Sequence, residues 1–116
     1  MSYLTVLGLC FTEIVGDFGY KEFANKGGIK NFLIGTVGYI GLICCLIISL
    51  QNSQILLVNA AWDALSTIIE SIAAIIILKE RFNDPWQYFG IILISVGIFF
   101  LKLPVLKTHK FVLPKL

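Results

Sequence analysis

The chain has 116 residues, of which 58% are hydrophobic and 14% charged, with a formal net charge of +2 and a mean hydropathy of +0.90. A soluble domain of this length rarely carries so much apolar surface, so the composition places the chain in a bilayer. The small charge is mostly juxtamembrane and suits phospholipid headgroups better than nucleic acid. The single histidine, His109, leaves no nucleophile–histidine arrangement for a soluble enzyme.

Crossing a hydrocarbon core about 30 Å thick takes roughly 20 apolar residues in a helix. Four runs fit, near Ser2–Tyr20, Phe32–Leu50, Ile55–Leu78 and Trp86–Leu101. The first reads as a spanning helix in preference to a secretory signal, because no basic residue precedes Lys21 and two acids interrupt it. The polar breaks KEFANKGGIKN, QNSQ and KERFNDP hold the Gly, Asn, Pro and charge expected where a chain turns outside lipid. A β-barrel would need segments of about 10 residues with alternating polarity; runs such as ICCLIISL are continuously apolar instead. The predicted fold class is therefore an all-α, multi-pass integral membrane protein of four transmembrane helices. Its transmembrane domain covers residues 1–103 and a basic C-terminal tail residues 104–116.

Within the first run, Glu13 and Asp17 lie four residues apart and so share a helical face. In the second, Gly35, Gly38 and Gly41 open a groove for a neighbouring backbone. In the third, Asn59, Asp63, Ser66 and Glu70 recur near the helical period, with Trp62 beside them as a cavity wall able to meet a cation. The fourth carries Gly90 and Gly97 one heptad apart, and Trp86 and Tyr88 start it as interfacial anchors. Cys10, Cys44 and Cys45 are an odd set within apolar runs, read as packing residues with no metal or disulfide role.

No Lys or Arg lies well inside a predicted span to neutralise Glu13, Asp17, Asp63 or Glu70. Carboxylates at such depth cost several kcal/mol unless they face a bundle interior or a watery cavity, where they carry protons or cations; for Asp17 and Glu70, near helix ends, contact with interfacial water is an equal alternative. Desolvation and like-charged neighbours favour the neutral acid, whereas a bound cation favours the ionised one, so proton and cation compete for one seat. Loop charge is nearly balanced. Lys102, Lys107, Lys110 and Lys115 would lie on one side of the membrane, and Lys21, Lys26, Lys30, Lys79 and Arg81 on the other, a split that gives little orienting instruction and allows dual topology, whereas a count without the distal tail puts the first and third loops inside.

Taken in order, the acid at position 13, the tryptophan at 62, Lys79-Glu80 after the third run and Gly90-IILISV-Gly97-Ile98 in the fourth resemble the small multidrug resistance family, over roughly residues 3–102. The resemblance implies an antiparallel homodimer in which paired Glu13 side chains exchange protons for small organic cations, guanidinium-like or polyamine. Trp62 would be a pocket wall, and Gly90 with Gly97 the dimer-forming face. It implies membrane lipid, protons and a cationic substrate as partners, and no cofactor, enzyme chemistry or nucleic acid.

Departures from the family pattern are Asn59 in place of a tyrosine, Gln54 and Leu56 in place of a proline and glycine, Ala64 and Ser66 in place of a glycine pair, and the additional acids Asp17, Asp63 and Glu70. Two alternatives stay open on the sequence: a non-transporting assembly or accessory protein that keeps the fold, and a carrier of other metabolites in the wider drug/metabolite transporter superfamily.

Overall fold

The computed structural model describes residues 2–101 and 112–115. Four helices follow in order, α1 (Tyr3–Lys26), α2 (Ile29–Leu50), α3 (Ile55–Ile77) and α4 (Pro85–Phe99), and the described residues contain no strand. Most of the predicted tail falls outside the described residues. Of its described part, the Val112 amide donates to Gln51 Oε1 at 2.8 Å and the Val112 carbonyl accepts from Gln51 Nε2 at 2.6 Å.

Each helix begins and ends for a local reason. Ser2 caps α1 through a reciprocal box with Thr5, satisfying amides that the first turn leaves open. The helix continues six residues past the predicted end at Tyr20 and stops at Gly27 and Gly28, whose φ values of +73° and +95° favour glycine. Asp84 caps α4, its Oδ1 accepting from the Trp86 amide at 3.0 Å, with Pro85 in the first helical position where its missing N–H costs nothing. At the end of α3, Lys79 has φ +57° and turns the chain out of the helix, so the Lys79-Glu80 pair lies just beyond α3. Arg81 Nη1 donates to the Ile75 carbonyl at 2.9 Å, placing positive charge at the negative end of the helix dipole.

α2 and α3 are each long and apolar enough to cross a membrane. α4 has 15 residues, about 22 Å of helix at 1.5 Å per residue, which is short of the full span predicted to reach Leu101. Among the described residues buried hydrophobic side chains are few, with Leu9, Val6 and Val58 the largest that are fully buried, whereas Phe11, Val37, Ile40, Ile76 and Phe99 stand exposed. This distribution suits a chain whose outer solvent is hydrocarbon, where packing rather than the hydrophobic effect joins helices.

α1 packs chiefly on α2 and secondarily on α3, and α4 lies against α3. Glycine sets the first contact. A Cβ placed on Gly19 would sit 2.5 Å from the Gly35 backbone nitrogen, and one on Gly38 would sit 2.7 Å from the Gly16 Cα. The two backbones therefore touch where Gly16 and Gly19 of α1 meet Gly35 and Gly38 of α2. Gly41, also read as part of the groove, faces the Thr12 side chain. Gly90 and Gly97 meet nothing within 4 Å, so any groove they form is open in the single chain.

Candidate functional site

The site is built where α1 crosses α3. Glu13 projects from α1 and accepts two hydrogen bonds from α3, from Trp62 Nε1 to Oε2 at 2.6 Å and from Ser66 Oγ to Oε1 at 2.8 Å. Trp62 and Ser66 are four residues apart, just over one helical turn, which lets one carboxylate bridge both. Bonds of this kind to an ionisable group are worth about 1.5–3 kcal/mol each, and they fix the carboxylate's orientation.

Two further acids join it. One carboxylate oxygen from each of Glu13, Asp17 and Glu70 lies within 4.8 Å of the other two, and all three residues are half-buried. Asp17 stands one turn beyond Glu13 on α1, and Glu70 one turn beyond Ser66 on α3, so the helix crossing brings two acidic turns face to face. Among the described residues, the salt bridges are Lys21 with Glu80 and Lys26 with Glu22. Neither supplies a cation to the three acids.

Asp17 is held from the other side by Tyr39 of α2, whose hydroxyl donates to Asp17 Oδ1. Packing explains why Tyr39 reaches that far. Its ring stacks on Tyr20, with centroids 5.5 Å apart and planes 20° apart, and the Tyr20 hydroxyl pairs with Thr36 Oγ1 at 3.0 Å. The ring also lies over Gly16, where a Cβ would come within 2.5 Å of Tyr39 Cδ2. Gly16 thus gives Tyr39 the room it needs to reach Asp17.

A cavity of about 780 Å³ opens beside the cluster, with Asp17 and Glu70 at one part of its wall and Lys21, Glu80, Arg81 and Phe82 at another. Lys21 and Glu80 are bonded to each other there, joining the last part of α1 to the segment after α3. A smaller cavity of about 190 Å³ lies on another side of Trp62, lined also by Asn59, Val58 and Leu46.

Of the residues singled out in the sequence, the structure brings together Glu13, Asp17, Trp62, Ser66 and Glu70. Asn59 and Asp63 are exposed and take no part in the cluster. Both share the broad polar face of α3 with Ser66 and Glu70, so their exclusion follows from where α1 crosses α3 and not from their angle round the helix. Tyr39 and the Lys21–Glu80 pair were not anticipated. The only advance signal for Tyr39 was the matched glycine spacing, Gly16 and Gly19 in α1 against Gly35 and Gly38 in α2.

Chemically, the arrangement is a cluster of acceptors with an indole bonded to one of them, and among the described residues no salt bridge reaches it. Carboxylates this close repel one another, and a proton or a cation would relieve that repulsion. The family model described as Small Multidrug Resistance protein matches residues 1–94. Comparison with curated proteins gave no match, and comparison with solved structures gave none.

Proposed function

The chain belongs to the small multidrug resistance family of membrane transporters, and from that premise we propose that it exchanges protons for small organic cations, guanidinium-like or polyamine, at Glu13. The observation that carries this reading is the setting of the Glu13 carboxylate, which is held by Trp62 and Ser66 beside Asp17 and Glu70 with no salt-bridge partner among the described residues. A cation entering the seat would replace protons on the acids, and a returning proton would release the cation. The two occupancies are thereby linked through one charge balance.

Several features support that chemistry. The Trp62 ring offers a π face to an organic cation, and the negative charge of Asp17 and Glu70 beside the seat favours a guest with more than one positive charge. Asn59 and Asp63 lie outside the cluster in the single chain, so the seat of this reading is Glu13 with Trp62 and Ser66, and Asp17 and Glu70 stand beside it.

We further propose an antiparallel homodimer joined along α4. An added Cβ at Gly90 or Gly97 would meet nothing within the protomer, leaving a small-residue face for a second copy. The nearly even loop charge counted from the sequence suits two opposite orientations. Two copies inserted in opposite senses would place paired Glu13 sites near the bilayer midplane, as alternating access requires.

The test is uptake into reconstituted vesicles under an imposed pH gradient, with radiolabelled guanidinium and spermidine as probes. Wild-type protein is expected to concentrate at least one probe, and Glu13→Gln to abolish that uptake. Gradient-driven uptake that persists in Glu13→Gln would refute the reading.

A further inference from the structure

The cavity and Glu13 are neighbours without being in direct contact. Asp17 and Glu70 line the cavity, whereas Glu13 is absent from its wall. Both Glu13 oxygens are engaged by donors on α3, yet a carboxylate oxygen of Glu13 lies within 4.8 Å of one on each of the other two acids. A proton arriving in the cavity therefore meets Asp17 or Glu70 before it meets Glu13.

We propose that Asp17 and Glu70 form a proton relay between the cavity and Glu13. This inference rests on the reading of Glu13 as the exchange site and adds two proton-carrying residues to it. The step balances simply. Hydronium in the cavity gives a proton to the Glu70 or Asp17 carboxylate; that carboxyl O–H bond then breaks as a new one forms on a Glu13 oxygen, leaving the relay acid ionised and ready for the next proton.

A gap of at most 4.8 Å is closed by one intervening water or a small side-chain rotation, since oxygen partners sit about 2.7–2.8 Å apart in such chains. Glu13 can accept the proton without losing Trp62 or Ser66, because each carboxylate oxygen offers two lone pairs.

The setting of the relay is asymmetric. Tyr39 of α2 holds Asp17 by its hydroxyl, while Glu70, on α3, reaches both α1 acids. Other titratable groups facing the cluster are Cys10 of α1 and Tyr39 of α2. Lys21, Glu80 and Arg81 also line the cavity; Lys21 and Glu80 neutralise each other, and the Arg81 guanidinium, bonded to the Ile75 carbonyl, is the net charge these three bring to the wall.

Trp62 supplies a reporter, because its indole N–H is bonded to Glu13 and its emission should change when that carboxylate gains a proton. In a Trp86→Phe background Trp62 is the one remaining tryptophan. The experiment follows Trp62 emission with microsecond resolution after a photoreleased proton jump, in protein reconstituted in lipid. Asp17→Asn with Glu70→Gln is expected to slow the response at least tenfold while preserving its final amplitude, with each single variant between the two.

An unchanged rate in the double variant would overturn the relay and leave the Glu13 reading standing. Loss of the amplitude would also overturn it, by making the two acids parts of the Glu13 seat itself. Glu13→Gln should erase the signal altogether, and a signal that survives in Glu13→Gln would defeat the exchange-site reading and the relay with it.

Discussion

The indole nitrogen of Trp62 donates to Glu13 Oε2 at 2.6 Å, tying α3 to α1 through the carboxylate on which transport is proposed to depend. The bond couples structure to charge state: whatever occupies the Glu13 seat also sets the strength of an interhelical contact. The residue proposed as the pocket wall thus also holds the acid in place.

Trp62→Phe keeps an aromatic wall but removes the donor. Loss of a hydrogen bond to an ionisable group is expected to cost about 1–3 kcal/mol, read as a lower unfolding midpoint in mixed micelles. Cation uptake should fall further in Trp62→Leu, which removes the π face as well. Equal uptake in Trp62→Phe, Trp62→Leu and wild-type protein would show that Trp62 does neither job.

Gly16 and Gly90 make a paired test of close approach. Gly16→Ala forces the Tyr39 ring aside and should destabilise the chain by about 1–3 kcal/mol, the usual cost of overpacking. In Gly90→Ala the new methyl meets nothing within the protomer, and alanine is the better helix former. That protomer should be as stable as wild type or slightly more so, by the same unfolding measurement.

Bulk on the α4 face separates folding from assembly. Gly90→Leu with Gly97→Leu should leave the helical content unchanged by circular dichroism while converting dimers to monomers. Stepwise photobleaching of singly labelled protein in dilute liposomes would register the change as one step instead of two. Persistent two-step bleaching would place the dimer contact elsewhere.

The Lys21–Glu80 pair is exposed, with side-chain accessibilities of 42% and 48%. A pair this accessible is expected to contribute about 1 kcal/mol or less. A double-mutant cycle of Lys21→Ala and Glu80→Ala should return a coupling in that range that shrinks as salt is added. A larger, salt-independent coupling would mean that the pair is shielded from water.

The sequence made the apolar helices legible because lipid leaves the backbone few alternatives; α2 and α3 lie close to their expected bounds. It was less informative about α1, whose last turns contain the polar run Lys21–Lys26. That run resembles a loop in composition, yet the helix ends only where Gly27 and Gly28 take positive φ. The acids at 13, 17 and 70 were legible as buried charge without a partner, and their convergence follows from the α1–α3 crossing.

Periodicity alone could not separate Ser66 and Glu70 from Asn59 and Asp63, because all four fall on one broad face of α3. Which part of that face is covered depends on where α1 crosses. The contact between Tyr39 and Asp17 was hidden for a similar reason: it requires the depth of the α1–α2 approach, which four glycines set together.

The most direct test is proton release from purified, lipid-reconstituted protein in weak buffer as guanidinium, spermidine or tetraethylammonium is added. Wild-type protein should acidify the medium with at least one of these cations, saturably, and Glu13→Gln should not. No release from folded wild-type protein with any of the three, or equal release from Glu13→Gln, would contradict a shared seat for proton and cation at Glu13.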